Sequence, residues 1–365
     1  MKKYLIPTLI YLCFAAIYVG ISLYKHNDYL FQPVWDIEHY LSISEAGYKV
    51  YPCTPGYDGR AGEICGNSGW FPMWPLVVRF PRPLSGGSPQ VAFVGLAFLF
   101  SLISFILFSR LMSKLYGSNA SIFTLLAFAL GPASFYLITG FPYALFALLF
   151  IIYLLLLYRP PGLPRDIFLF IMALAISLTY PTGSLVAVVP LVWYIFAGKA
   201  PSQSARSSGY WMNLFKYLAP FILGPLILWT YFYFKFDDFF LQLHFQAKYH
   251  RTWAFPLWVM LKSLFTQPIL SPENLSILWY GLVFLVFLPY KVKTELWMAA
   301  LVMYFFSLTT GTTMSIFRHY LIILPVYMLI GSSTRPLWLK IFYIVAGLVI
   351  SLSILFPRFM AYKLM

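Results

Sequence analysis

The chain of 365 residues is 61% hydrophobic and only 10% charged, whereas a soluble globular protein carries about 25% charged residues. This composition excludes an ordinary soluble enzyme and predicts one polytopic membrane body over residues 1–365, with no large soluble domain. The net charge of +14 does not indicate nucleic-acid binding, because no run of basic residues is long enough to follow a phosphate backbone.

Eleven apolar segments are candidates for crossing a bilayer, which takes roughly 17 to 25 residues per helix, although some of them are short. We therefore predict an all-α polytopic membrane protein with about 11 transmembrane helices. The first segment follows Lys2 and Lys3 but lacks a cleavage site, so we expect a retained anchor. The segments are 4–23, 90–109, 118–138, 142–158, 166–180, 183–197, 214–234, 274–290, 296–310, 317–331 and 339–356.

The distribution of charge predicts the orientation of these segments. Placing Lys2 and Lys3 in the cytoplasm gives the cytoplasmic connections a net charge of +11 and leaves +3 on the opposite side. Nine of the eleven carboxylates and all five histidines then lie on the non-cytoplasmic side. Two outer segments, 24–89 and 235–273, are too long to be simple turns, so we expect a first outer catalytic loop and a second outer loop there.

The first outer segment contains a pattern typical of a short amphipathic helix that ends at Gly47. On such a helix Asp36, His39 and Tyr40 share one face, while Glu38 points elsewhere. Asp36 also stands where an N-cap residue is expected, so a purely structural capping role is the alternative to a chemical one.

Further along this segment, Cys53 and Cys65 lie in one loop on the oxidising side, which predicts a disulfide. Cys13 lies within the first apolar segment and is expected to be an inert core residue. Residues 70–75 combine tryptophans with prolines, which favours a short re-entrant or interfacial helix, with a simple aromatic belt as the alternative.

Two motifs of the first outer segment resemble the opening of the PIG-V family, which includes the second mannosyltransferase of glycosylphosphatidylinositol assembly and its prokaryotic relatives. They are WDIEHYLSISEAGY at 35–48 and WFPMWPLVVR at 70–79. Further matches follow in the same order over nearly the whole chain. They are GPASFYLITGFPYALFALLF at 131–150, YPTG at 180–183, FLQLHFQAKYHRTWAFP at 240–256 and IFRHYLIILPVYML at 316–329.

The resemblance implies a GT-C glycosyltransferase fold and an active site that faces away from the cytoplasm. It implies inverting transfer of a hexose, with mannose expected, from a polyprenyl-phosphate donor such as dolichyl phosphate mannose to a lipid or glycan acceptor. Asp36 matches the family position of the general base. The expected partners are the lipid-linked sugar, the acceptor and membrane lipids, with no nucleic acid. A prokaryotic plasma membrane is the expected location, or the endoplasmic reticulum membrane in a eukaryote.

Further candidates are assigned by the chemistry that such a transfer needs. Arginine suits bidentate contact with the leaving phosphate, which singles out Arg318 and Arg251, whereas Lys248 is expected to snorkel to lipid headgroups. Amide and aromatic side chains suit sugar hydroxyls and ring faces, and Glu38 is a competing carboxylate. The candidates for substrate contact are Glu38, His39, Trp70, Gln246, Tyr249, Arg251, Arg318 and His319, with His250 and Trp253 nearby in the chain.

No cofactor is expected, because a single leaving phosphate does not require a metal and no Cys or His cluster has metal-ligand spacing. Two other classes of function stay open. A multi-pass transporter or flippase of lipid-linked sugars suits Pro-broken helices, although the span interiors are almost free of ionisable residues. A non-catalytic assembly subunit would show no transfer by the purified protein.

Overall fold

The computed structural model describes residues 2–56, 59–60, 62–81, 86, 88–196, 208–249, 251–287 and 292–361. The described chain is mostly helical, with one small antiparallel hairpin that the all-α prediction did not include. The helices before the second outer segment are α1 (Lys2–Tyr24), α2 (Asp36–Ala46), α3 (Met73–Arg79), α4 (Pro89–Tyr116), α5 (Ser118–Leu130), α6 (Tyr143–Leu157), α7 (Leu163–Ser177), α8 (Val188–Phe196) and α9 (Ser208–Phe236).

The remaining helices are α10 (Leu241–Ala247), α11 (Pro256–Thr266), α12 (Pro272–Val286), α13 (Thr294–Phe306), α14 (Ile316–Leu321), α15 (Leu324–Ser332), α16 (Leu337–Ile350) and α17 (Phe356–Met360). A π-helical turn, Ser351–Leu355, joins α16 to α17. Short 3₁₀ segments stand at Tyr29–Phe31, Ser134–Leu137 and Pro181–Ala187. Two of these lie where prolines interrupt the predicted spans, as expected from the ring's missing N–H.

Four helices in the described ranges are long and apolar enough to cross a membrane, which supports an integral membrane protein. They are Tyr4–Tyr24, Pro89–Tyr116, Leu214–Phe236 and Leu337–Met360. Five further predicted spans coincide with shorter apolar helices, and the predicted span 317–331 is divided into α14 and α15. The count of eleven membrane crossings therefore stays a prediction.

The helices pack around a continuous aromatic and aliphatic core. α4 packs against α1, α5 and α6, while α15 packs against α5 and α7 against α9. Large apolar side chains on the outer faces of α1, α9 and α16 are exposed, as expected for faces that contact lipid. Cys13 lies on this exposed stripe of α1. Its prediction as a core residue is wrong, because the neighbouring Phe14 occupies the buried face of α1.

The first outer segment folds as a compact unit against α9 and α10. Helix α2 ends at Gly47, as predicted. The strands β1 (Val50–Pro52) and β2 (Ile64–Gly66) pair antiparallel, and the structure joins Cys53 to Cys65 in a disulfide. Asn67 holds the hairpin to α2, because its side chain accepts from the Lys49 N–H and donates to the Gly47 carbonyl.

The two ends of the bundle can be told apart from α4. This helix has 28 residues and is about 40 Å long at 1.5 Å rise per residue. Its first turns contact the 3₁₀ segment Tyr29–Phe31, which links α1 to α2. The first outer segment therefore lies at one end of the bundle, and Tyr116, the last residue of α4, lies at the other.

Replacing Gly224 by Ala tests the close packing of α9 on α7. A Cβ at Gly224 would overlap Ser177 Oγ and stand 2.9 Å from Ser177 Cβ, which costs about 1 to 3 kcal/mol of stability when a packed core cannot relax. We expect a lower melting temperature for Gly224→Ala in detergent. Gly95→Ala is the control, because no atom lies within 4 Å of its Cβ position, and equal losses for both variants would contradict this packing.

Candidate functional site

Asp36 is the first residue of α2, which follows the 3₁₀ segment Tyr29–Phe31. The N-cap of α2 is Trp35, which makes no side-chain capping bond, so the capping alternative for Asp36 is wrong. The Asp36 carboxylate pairs with Arg318, with Oδ2 accepting from Nη1 at 2.9 Å. Its side chain is therefore turned toward the bundle rather than toward the α2 backbone.

Arg318 lies on α14 and is only 8% exposed. Its Nη2 donates to Ser315 Oγ at 2.7 Å, and its guanidinium lies over the rings of Tyr136 and Phe141 at 5.9 and 5.6 Å. A snorkelling arginine would extend into water or headgroups, whereas this one is held in place by a carboxylate, a hydroxyl and two aromatic faces.

The backbone is strained at the residue before Asp36 and at the N-cap of α14, the helix that carries Arg318. Trp35 has φ 51° and Ser315 has φ 59°, a left-handed conformation that residues with a side chain rarely adopt. Such conformations cost about 1 to 3 kcal/mol each and persist where the surrounding structure holds them, commonly at functional sites. Here they turn Asp36 and Arg318 toward each other.

A cavity of about 280 Å³ surrounds this ion pair. That volume is close to the lower end of the range for small-molecule sites, about 300 to 1,000 Å³. The cavity is formed by α2, the residues before α3, the start of the Pro181–Ala187 segment, α10 and α14. Its lining consists of Trp35, Asp36, His39, Tyr40, Gly69, Trp70, Tyr180, Pro181, Gln246, Tyr249, Arg251, Met314, Ser315, Arg318 and His319.

Eight of the nine residues predicted from the sequence for catalysis or substrate contact lie around this one cavity: Asp36, His39, Trp70, Gln246, Tyr249, Arg251, Arg318 and His319. Glu38 is the exception, because it lies on the exposed side of α2 and does not line the cavity. Trp253 is 85% exposed and points away from the site. His250 lies outside the described residues.

Close contacts hold the second outer segment to the first outer segment and to the loop after α13. Gly69 packs against Phe245, and a Cβ there would stand 2.7 Å from the Phe245 ring. The Thr252 and Ala254 N–H groups donate to the carbonyls of Thr310 and Thr309 at 3.1 and 3.0 Å. These contacts place Arg251 beside Arg318. Lys248 does not extend to lipid as expected, because its Nζ contacts Cys65 Sγ at 2.9 Å.

His39 and Trp70 form a stacked wall of the cavity. Their ring centroids are 3.6 Å apart, with an interplanar angle of 15°, and Phe245 meets the Trp70 ring edge-on at 5.5 Å. Burial lowers the pKa of His39 to about 4, and the nearby Asp36 carboxylate opposes this shift only in part. The imidazole is therefore neutral near pH 7 and can donate or accept a hydrogen bond.

Sequence reasoning missed the tyrosines that extend the site inward. Tyr180 hydroxyl lies 3.1 Å from His319 Nδ1 and 3.4 Å from the Tyr143 hydroxyl. This chain of polar groups runs from the cavity into the bundle. The YPTG motif at 180–183 drew attention to Tyr180. The sequence alone, however, does not show that the Tyr180 hydroxyl points toward His319.

The cavity has an excess of positive charge and contains hydrogen-bond donors that are not used within the described residues. Arg251 and Arg318 face the single carboxylate of Asp36. In the part of the chain that the structure describes, the Nε–H groups of both arginines are buried and make no hydrogen bond. An unsatisfied buried donor of a charged group costs about 1 to 3 kcal/mol or more, so an anion that accepts from them would stabilise the site.

Metal ligands do not gather at this cavity. Among the described residues, no group of three or more His, Cys, Asp or Glu side chains is arranged to hold a metal ion. The expectation that the protein needs no cofactor stays a prediction.

No protein-family model matches the chain, and a comparison with curated proteins finds no significant match. The resemblance to the PIG-V family therefore continues to depend on the motifs and their order.

Replacing His39 by Gln tests the buried, neutral histidine. Because the pKa of His39 is lower in the folded protein than its ordinary value of 6.5, the unfolded chain binds the proton first, and stability falls as the pH drops from about 6.5 to 4. Melting temperatures across that range should fall less steeply for His39→Gln than for wild type. The exposed His26, replaced by Asn, is the control, and identical slopes for His39→Gln and wild type would refute the neutral histidine.

Proposed function

We propose that the protein is a membrane glycosyltransferase that uses a polyprenyl-phosphate sugar as donor. One observation carries the proposal. A single cavity at the outer-segment end of the bundle contains a carboxylate, two arginines with unused donors and a wall of aromatic and amide groups. These are the groups that a transfer from a lipid phosphate needs.

The proposed reaction inverts the configuration at the anomeric carbon. The acceptor hydroxyl oxygen forms a bond to this carbon as the bond from the carbon to the phosphate oxygen breaks. The hydroxyl proton passes to the Asp36 carboxylate, and polyprenyl phosphate leaves with the electron pair. A positioned carboxylate that accepts this proton contributes typically 10²- to 10⁴-fold.

The arginines suit the leaving phosphate. Arg318 and Arg251 are cavity residues whose buried Nε–H groups make no hydrogen bond within the described part of the chain. Charge-assisted bonds from a guanidinium to a phosphate are about twice as strong as neutral ones. They would strengthen as negative charge develops on the departing oxygen, which is the differential stabilisation that accelerates a reaction.

Donor binding also prepares the base. In the structure described, Arg318 Nη1 is bonded to Asp36 Oδ2, and an acceptor hydroxyl must reach this carboxylate. When the donor phosphate accepts hydrogen bonds from the Arg318 guanidinium, Asp36 Oδ2 loses its bond to Nη1. This oxygen is then free to accept the proton of the acceptor hydroxyl. The order of events in this proposal is therefore donor first and acceptor second.

The sugar contacts are assigned to three other side chains that line the cavity. Trp70 offers a ring face, and Gln246 and Tyr249 offer an amide and a hydroxyl. Desolvation raises the pKa of Tyr249 to about 12, so its hydroxyl stays protonated and can donate to a sugar oxygen. The PIG-V resemblance makes mannose the expected hexose, the GT-C architecture the expected fold and a plasma membrane with an outward site the expected location.

Replacing Asp36 by Asn should remove transfer almost completely, because the variant cannot accept the acceptor proton. The measurement is turnover by purified protein with radiolabelled polyprenyl-phosphate hexoses. The variant leaves Arg318 buried without its counter-charge, which costs about 3 to 5 kcal/mol. Melting temperature must therefore be measured for each variant.

Two further variants separate catalysis from stability. The pair Asp36→Asn with Arg318→Gln removes both charges and should recover thermal stability without recovering transfer. Glu45→Gln changes a carboxylate at the exposed end of α2 and should retain turnover within about twofold. Turnover by Asp36→Asn within a few-fold of wild type would exclude Asp36 as the base. Donor binding without transfer by wild type would favour the flippase or the non-catalytic subunit.

Replacing Arg318 by Lys tests the phosphate assignment. Lysine keeps the charge but loses the planar fork that can serve Asp36 and a phosphate together. We expect KM for the lipid donor to rise about tenfold and KM for the acceptor to stay nearly constant. A change confined to the acceptor KM would place Arg318 on the acceptor side of the site.

A further inference from the structure

A second polar cavity lies at the opposite end of the bundle from the candidate active site. It has a volume of about 560 Å³ and is formed by the end of α4, the start of α5 and the connection from α15 to α16. Its lining consists of Leu115, Tyr116, Asn119, Ala120, Lys293, Gly331, Ser332, Ser333, Thr334 and Lys340. The lining is basic and hydroxylated, with no carboxylate among these residues.

Lys340 is the unusual member of this lining. It is only 8% exposed, although lysine is almost never fully buried unless it is paired. Its Nζ donates to the Gly331 carbonyl at 3.1 Å and lies 5.1 Å from the centre of the Phe123 ring. Within the described ranges it has no ion-pair partner. Burying an unpaired ammonium is costly, so a buried lysine normally has a counter-charge.

The nearest element with an acid does not supply that charge. Glu295, in the first turn of α13, accepts a hydrogen bond from the Tyr158 hydroxyl at 2.9 Å. Lys293 precedes it, and its Nζ lies 4.9 Å from the Tyr158 ring. Lys293 and Lys340 both line this cavity, and no described carboxylate is bonded to either ammonium group.

A structural role explains only part of the Lys340 geometry. Its bond to Gly331 satisfies a carbonyl in the last turn of α15, where a cation is favourable to the helix dipole. An ammonium has three donors, and this bond uses one. The others are available to a ligand in the cavity, together with the Ser333 hydroxyl and the Asn119 amide.

We infer that this cavity binds a phosphate group through Lys340 and Lys293. Two cations and several hydroxyl and amide donors, without a competing carboxylate in the lining, match the charge and acceptor oxygens of a phosphate. Basic pockets between membrane helices at the cytoplasmic surface are known sites for anionic lipid headgroups. The site is separate from the proposed glycosyltransferase cavity and does not depend on that activity.

The surroundings of Lys340 favour a lipid as the source of the phosphate. The first turns of α16, which carry Lys340, also expose Leu337, Trp338 and Ile341, with Trp338 67% exposed. A headgroup in the cavity would leave its acyl chains beside this apolar surface. A soluble phosphate compound would use the same donors without contacting the exposed side chains of α16.

The test is native mass spectrometry of the full-length protein, titrated in detergent with phosphatidylglycerol and, separately, with phosphatidylcholine. Lys340→Gln and Lys293→Gln should each weaken phosphatidylglycerol binding about tenfold, the effect of losing one charge-assisted bond. Lys293→Gln keeps the test informative if Lys340→Gln destabilises the protein, because it leaves the hydrogen bond from Lys340 to α15 in place. Lys114→Gln is the control, since it makes the same charge change on an exposed residue near the same end of α4 that does not line this cavity.

Each outcome has a defined meaning. Weaker binding in both cavity variants and unchanged binding in Lys114→Gln supports the site. Displacement of the lipid by millimolar inorganic phosphate would then assign the site to soluble phosphate compounds, and retention would assign it to lipid. Equal losses in all three variants would show an effect of general surface charge and would overturn the inference. Unchanged binding in the two cavity variants would overturn it as well.

Discussion

The ion pair between Asp36 and Arg318 is the interaction on which the candidate site depends. It joins α2 to α14 across 282 residues of sequence, and so links the first outer segment to the C-terminal part of the bundle. Arg318 is nearly buried, and a buried charge is tolerated only with a partner. The pair therefore constrains how α2 docks, and the docking of α2 fixes where His39 and Trp70 stand.

The remaining features of the site are arranged around this constraint. Left-handed backbone at Trp35 and Ser315 turns the two charged residues inward, and Gly69 lets α10 approach closely enough to bring Gln246 to the cavity. The ion pair leaves one donor of Arg318 unused, because its buried Nε–H makes no hydrogen bond with any residue that the structure describes. Stability and readiness for an anionic substrate therefore arise from the same side chain.

Sequence patterns predicted the local parts of this arrangement well. The helix ending at Gly47, the outward Glu38 face and the Cys53 to Cys65 disulfide all follow from short-range periodicity and chemistry. That distant residues such as Gln246 and Arg318 would meet in one site was expected only because their motifs follow the order seen in the PIG-V family.

Pairings between distant elements were beyond the sequence. The Asp36 bond to Arg318, the Tyr180 hydroxyl on His319 and the buried position of Lys340 depend on how helices pack, and periodicity does not encode that packing. The exposure of Cys13 was missed for a similar reason, because α1 is apolar on both its buried and its lipid-contacting face. For such a helix the sequence does not distinguish the two sides.

The most direct test of the central claim is a cryo-electron microscopy structure with a non-hydrolysable phosphonate analogue of a polyprenyl-phosphate hexose. We expect the phosphonate within hydrogen-bond distance of Arg318 and Arg251, the sugar beside Trp70, and the Asp36 carboxylate facing the anomeric carbon from the side opposite the phosphonate. Phosphonate density elsewhere in the protein, with the Asp36 to Arg318 pair unchanged and the cavity empty, would contradict it.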